Sequence, residues 1–203
     1  MHGIKSAEKN FWSRAIICGL ILFSFSLTYA QNLPKEIRGY KVYRAKISVK
    51  TKTEKTETKD KSQVSVKISE PELVDVSLTG ITFEISAEIE SLGQSGAVDF
   101  LTFQDFRVND LKVDVEEYEE SFEIKKNKTV ALPKPIEIFI GAGQTLRGAA
   151  KEMKDSKDEW TVTGRILVFG QFKKSFLKFK RVIPVDINLK IKNPLKEVVS
   201  GEQ

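Results

Sequence analysis

Beyond its first thirty residues the chain is dominated by strict alternation of apolar and polar positions. Ile81, Phe83, Ile85, Ala87 and Ile89 alternate with Thr82, Glu84, Ser86, Glu88 and Glu90, the period-2 pattern of a strand buried on one face. At helical spacing the same residues would scatter round the wheel. Ile183, Val185, Ile187, Leu189 and Ile191 alternate with Pro184, Asp186, Asn188 and Lys190, and Tyr43, Ala45, Ile47 and Val49 with Arg44, Lys46 and Ser48. Shorter cases are Val64-Val66-Ile68, Ile136-Ile138-Ile140 and Leu111-Val113-Val115.

Turn chemistry places two hairpins. Apolar parity flips across Asn109-Asp110, and both residue types tolerate positive φ, so a two-residue turn there joins Phe106–Val108 to Leu111–Val113. A second hairpin joins Thr161–Phe169 to Phe176–Ile183, with its turn expected in Gly170-Gln171-Phe172-Lys173-Lys174 and Gly170 as the flexible point. One helix is predicted, because Leu146, Ala149, Ala150 and Met153 follow the i, i+3, i+4, i+7 spacing. The polar run Thr51–Ser62 holds no large apolar residue and cannot offset its ordering entropy by burial. It is expected to be a flexible charged loop or the tip of a long hairpin. About nine strands at hairpin spacing with one short helix argue an all-β fold, an immunoglobulin-like or fibronectin-like β-sandwich.

The first thirty residues read differently. Positive charges precede the apolar run Ala15–Leu27, and Thr28-Tyr29-Ala30 supplies small-residue cleavage chemistry, which together are the features of a secretory signal peptide. Cleavage after Ala30 is predicted, with a new N-terminus at Gln31 and a secreted or periplasmic location. The chain therefore divides into a leader over 1–30, an N-terminal strand pair over 31–69 with its loop at 51–62, a sandwich over 70–192 and a loose tail over 193–203.

Composition then removes whole classes of chemistry. Of 203 residues the only His is His2 and the only Cys is Cys18, both in the leader. A chain starting at Gln31 has no His or Cys for zinc sites, nucleophilic dyads or disulfides. The net charge is +5, of which Lys5, Lys9 and Arg14 against Glu8 give +2, leaving +3 beyond residue 30. The acidic run Asp114–Glu123 lacks the central Gly and spaced ligands of a calcium loop. It reads as a solvated strand edge, its charges discouraging edge-to-edge pairing. An enzyme would have to rest on carboxylates such as Glu116, Glu117, Glu119 and Glu120. The basic run Lys173, Lys174, Lys178, Lys180 and Arg181 interleaves with Phe176, Leu177 and Phe179. It is a candidate contact for an anionic surface, and export argues against nucleic acid as that partner. Trp160 reads as a core plug at the start of a strand. Neither Gly93–Gly96 nor Gly141–Gly143 has phosphate-loop order.

From about Pro71 to Ile191 the order of elements resembles the late embryogenesis abundant group 2 domain, also called the water-stress and hypersensitive-response domain. The residues that carry the resemblance are Leu73-Val74-Asp75-Val76-Ser77-Leu78 before the strand Ile81–Ile89, the hairpin Phe106–Leu111, Leu132-Pro133 before Ile136–Ile138, the helix Leu146–Met153, and Trp160-Thr161-Val162-Thr163-Gly164-Arg165-Ile166. The resemblance implies a folded, non-enzymatic β-sandwich linked to dehydration protection, and brings no catalytic, cofactor-binding or metal-binding residues. Two alternatives stand beside a stress-protective envelope protein. One is a carrier of a lipid or other apolar ligand, marked by a pocket of about 300 Å³ or more between the sheets. The other is a module that binds protein through an exposed strand edge.

Overall fold

The computed structural model describes residues 33–52, 64–143, 158–174 and 176–193, with only the backbone at Lys174. The chain separates into two units after Leu33, and the following concerns the second. Among the described residues the alternating segments form fifteen strand segments in three hydrogen-bonded groups. The large sheet runs β1 (Glu36–Ile37), β2 (Tyr40–Val42), β15 (Leu177–Lys192), β14 (Glu159–Lys174), β8 (Ser95–Val108), β11 (Phe122–Ile124), with β9 (Leu111–Lys112) also on β8. One four-stranded group runs β12 (Lys128–Ala131), β7 (Ala87–Ser91), β4 (Val64–Ile68), β3 (Ile47–Thr51). The other runs β10 (Asp114–Val115), β13 (Ile136–Gly141), β6 (Gly80–Ile85), β5 (Glu72–Val76).

The two smaller groups are halves of one kinked layer. The single alternation Ile81–Ile89 supplies β6 to one and β7 to the other, breaking at Ser86. The chain crosses the same line between β4 and β5 and between β12 and β13, where Pro71, Pro133 and Pro135 remove ladder donors. Backbone bonding continues through the kink by substitution. Ser69 N–H donates to the Ser86 carbonyl at 2.8 Å, and Ser86 N–H donates to the Ser69 hydroxyl at 2.9 Å. Counting each kinked segment as one strand, and Leu111–Val115 as another, returns the nine expected, to which β1 and β2 are added at the edge.

The kinked layer packs on one face of the large sheet, whose two central strands are each 16 residues long and span both halves. Over one half Phe83, Ile138 and Ile140 meet Phe106, Val162, Leu189 and Ile191. Trp160 is buried there, edge-on to Phe83 at 6.0 Å, the core plug expected. Over the other half Ile89, Val130 and Leu132 pack on Val98, Leu101 and Phe122. On the outer face Leu167, Phe169 and Val182 lie beneath Ile37, Tyr40 and Val42, with Phe100 stacked on Phe169 at 4.4 Å.

The expected Asn109-Asp110 turn is present. These residues take φ of +47° and +69°, as a type I′ hairpin turn requires, and Val108 pairs with Leu111. The Asn109 side chain adds a cap, accepting from Thr161 N–H at 2.9 Å.

Several expectations are corrected. The second hairpin does not turn within Gly170–Lys174, because those residues stay in β14 and the last pair is Lys174 with Leu177. Gly170 serves close approach instead of a turn: a Cβ there would stand 2.4 Å from the Ala97 carbonyl oxygen. The segments flanking the polar run do not form a long hairpin, since β3 and β4 pair in parallel, Ile47 with Val64 through Thr51 with Ile68. Thr51 is itself buried in β3, and Lys52 pairs with Glu88 at 3.0 Å. Tyr43 departs from the inward face of its alternation and is exposed, because 43–46 is a connection between β2 and β3. The predicted helix at Leu146–Met153, residues 53–62 of the loop, the leader and the tail after Asn193 lie outside the described residues.

Candidate functional site

The two halves of the sandwich are filled differently, and side-chain size is the cause. Stacked sheets stand about 10 Å apart and need bulky residues to interdigitate. The half around Trp160 has them in Phe83, Phe106 and Trp160. The half under β3, β4 and β7 has Ala45, Val49, Val64, Val66 and Ala87 on one wall, facing Val98, Val168 and Val185 on the other. These leave an apolar cavity of about 110 Å³, bounded also by Phe122, Ile124, Ile166, Ile183 and Ile187. Many of its wall residues, including Ile47, Val64, Val66, Ile89 and Ile166, are only half-buried, so it is a cleft and not a sealed void.

Polar groups gather at one end of it, where Ser91, Gln94, Ser95 and Phe172 meet. Ser91 is fully buried; its hydroxyl donates to the Gln94 carbonyl at 2.8 Å and accepts from Gln94 N–H at 3.2 Å, pinning the turn into β8. The enclosed volume is below the 300 Å³ expected of a pocket that envelops a whole ligand. A second hollow, of about 330 Å³, lies between Ile37, Phe169, Thr102 and Gln104 and is more open to solvent. Arg38 and Glu117 border it and neutralise each other through hydrogen bonds of 2.9 and 2.8 Å.

The basic run is divided by strand parity. Lys173 pairs directly with Lys178, and Lys180, two residues on, shares their face. Lys173 and Lys178 are exposed, and Lys180 sits over the Tyr40 ring at 5.6 Å. Arg181 belongs to the opposite face, the one that carries Ile183 and Val185 into the cleft, and lies over Phe179 at 5.2 Å. Lys174 is placed by its backbone pairing with Leu177. At the tip Phe176 is 90% exposed and Leu177 49%. Phe172, which lines the cleft, pairs with Phe179, and Lys173 pairs with Ser95 at the start of β8. The tip thus adjoins the polar end of the cleft, a juxtaposition invisible in the linear sequence.

The acidic run begins on β10, an edge strand of its sheet, as its charge pattern suggested. Glu117 pairs with Arg38 and Glu120 with Lys134. The hydrogen bond to Glu120 holds the exposed Lys134 ammonium above its ordinary pKa. Sequence reading overlooked Tyr118, which anchors this run: it is buried, bridges to Leu101, and shares two hydrogen bonds with the Lys134 backbone. An aromatic flanked by two glutamates on each side was the available signal. Among the described residues no group of three or more His, Cys, Asp or Glu is placed to hold a metal ion. On the outer face Tyr40 donates to Asp99 at 2.8 Å. Desolvation, then that bond and the Asp99 charge, raise its phenol above the ordinary value of 10.0.

These features define an all-β sandwich with an apolar cleft between its layers. No family model matches the chain, and no curated protein matches it. Two solved structures are similar in part. One is a crystal structure of a protein from Archaeoglobus fulgidus, 11% identical, covering 64% of this chain and 95% of that one at a TM-score of 0.37. The other is the solution structure of a protein described as late embryogenesis abundant, 12% identical, covering 64% of this chain and 71% of that one at a TM-score of 0.33. At those scores neither likeness carries a functional argument.

Proposed function

We propose that this chain is an exported, non-enzymatic β-sandwich of the cell envelope that holds an apolar chain in the cleft between its layers. The observation that carries this is the cleft itself, whose walls are Val, Ile, Leu, Ala and Phe apart from Ser91, Gln94 and Ser95 at one end. Half-buried aliphatic side chains on two facing sheets retain surface that a ligand can remove from water, at about 25 cal/mol per Å². A volume of about 110 Å³ compares with the roughly 150 Å³ apolar cavity that accepts benzene. It suits a slender alkyl segment and not a whole lipid. Export rests on the leader pattern, and protection against water stress on the sequence resemblance.

Native mass spectrometry of the protein purified gently from its own envelope tests the reading. A co-purifying lipid or fatty acid near one-to-one occupancy, lost in Ala45→Phe, supports it. A bare mass at the same gentle conditions, with no uptake of added fatty acid, refutes it.

A second reading, assembly through a strand edge, is favoured by β5. This edge strand exposes Val74 at 54% and Val76 at 65%, with Leu78 fully exposed beyond it. Light scattering that shows a concentration-dependent mass, reduced in Val76→Lys, supports that reading.

A further inference from the structure

We infer that the tip of the β14–β15 hairpin is a docking element for anionic bilayers. Phe176 is 90% exposed, and a large aromatic at a turn stabilises nothing in the protein while it stays in water. Leu177 beside it is 49% exposed, and Leu92, in the turn that leads into β8, is 56% exposed. The two turns are neighbours, because Ser95 of β8 pairs with Lys173 of β14. Three apolar side chains therefore stand at one end of the sandwich.

The charge on the hairpin itself has one sign. No acidic residue occurs between Gly170 and Val185. Among the described residues Lys173, Lys178 and Lys180 form no ion pair, whereas Lys52, Lys134, Lys190 and Lys192 each do. Lys173 stands directly opposite Lys178, an arrangement that destabilises a hairpin unless an external anion compensates it. Stable surface binding needs two signals, an apolar insertion and attraction to anionic headgroups, and this tip supplies both. An acidic protein surface would match the lysines but would need its own apolar pocket for Phe176, whereas an anionic bilayer supplies headgroup charge and acyl chains together. Docking would also bring the end of the cleft at Phe172, Ser91 and Ser95 toward the membrane; this last point alone rests on the cleft reading.

The test uses Phe176→Trp in the whole protein. Its added indole is read as the difference from the parent, which carries the buried Trp160 and, where the leader is retained, Trp12, so a signal from leader insertion is common to both proteins and cancels. The vesicles are phosphatidylcholine alone or with about 30% phosphatidylglycerol, with and without brominated acyl chains, at low and high salt. The expected result is a blue shift and bromine quenching of the added indole on the anionic vesicles only, both weakened by salt. K173Q, K178Q and K180Q together should lower partitioning by about fivefold each, on the order of a hundredfold in all, with the melting temperature kept. In the parent background Phe176→Ser should weaken co-sedimentation. Ala45→Phe should leave docking intact even where it abolishes cleft binding, which separates failure of the two readings. An indole that stays in water on anionic vesicles overturns the inference. So does equal binding to neutral vesicles, or binding unaffected by loss of the lysines. Heparin or protein binding without indole insertion assigns the tip to a polyanion and equally overturns it.

Discussion

Replacing Gly170 by Ala tests the geometry that sets the long strands beside one another. A Cβ at Gly170 would lie 2.4 Å from the Ala97 carbonyl oxygen and 3.1 Å from Val98 Cα. Ordinary contact begins near 3.4 Å, so about 1 Å of separation is required. Both obstacles are backbone, and no side chain can swing away to provide it. An N–H···O bond lengthened by that much is no longer a hydrogen bond. One or two ladder bonds lost at about 1 kcal/mol each, or the equivalent overpacking strain of about 1–3 kcal/mol, oppose a gain of about 0.4–1 kcal/mol from the stiffer unfolded chain. The net expected loss is about 1 kcal/mol, which in a domain of this size lowers the melting temperature by roughly 2–4 °C. Far-UV circular dichroism melts at fixed concentration read it. Gly93→Ala is the control, since nothing lies within 4 Å of a Cβ there. A Gly170→Ala protein that melts within a degree of the parent, or above it, would refute the close-approach argument.

Other outcomes follow from particular contacts. Gly164→Ala should destabilise by about 1–3 kcal/mol, because its Cβ would meet the Phe106 ring at 2.6 Å; adding Phe106→Leu should recover part of the loss in urea melts. Tyr40→Phe should cost about 1 kcal/mol for the bond to Asp99 and should flatten the alkaline limb of the stability profile. Because the folded phenol titrates above 10.0, its contribution is intact below that pH and is lost as pH rises through the raised value; urea melts from pH 8 to 11 that show no such difference would contradict it. Intact mass of envelope-purified protein should begin at Gln31, and melting should then be the same with and without reductant, since no thiol follows Cys18.

The strands were legible wherever one face is buried throughout. Ile183 to Ile191 alternates in the sequence and is buried at every second residue in β15, and Asn109-Asp110 announced its turn by residue type. The kink at Ser86 was hidden because alternation continues unbroken through it; only the hydroxyl of Ser69 and the flanking prolines mark the change of sheet. Parallel pairing of β3 with β4 leaves no local trace, since partner choice depends on a third strand, β7, that neither adjoins in sequence. Gly170 was misread because a glycine permits a turn and a close approach equally, and only the neighbouring backbone decides between them. The cleft was present in the small residues of its strands, Ala45, Val49, Val64, Val66 and Ala87 where the other half has Phe83, Phe106 and Trp160, but which walls face each other is a tertiary fact. The basic run was found as a cluster, and strand parity then put Arg181 on the face opposite Lys180.

The position of β15 has a consequence for the order of folding. It is the last described strand in the chain, yet it lies inside the large sheet, antiparallel to β14 and parallel to β2, with Arg181 beside Lys41. During synthesis every earlier segment waits for it: β2 has no neighbour but β1, β14 lacks one of its two ladders, and the inward faces of β3 and β13 have no complete wall to cover. Such distant pairings close slowly, because the loop entropy is spent before the contacts form. A nascent chain of this topology cannot complete its large sheet until residues near 192 are available, so its two halves are sealed only by the last strand made.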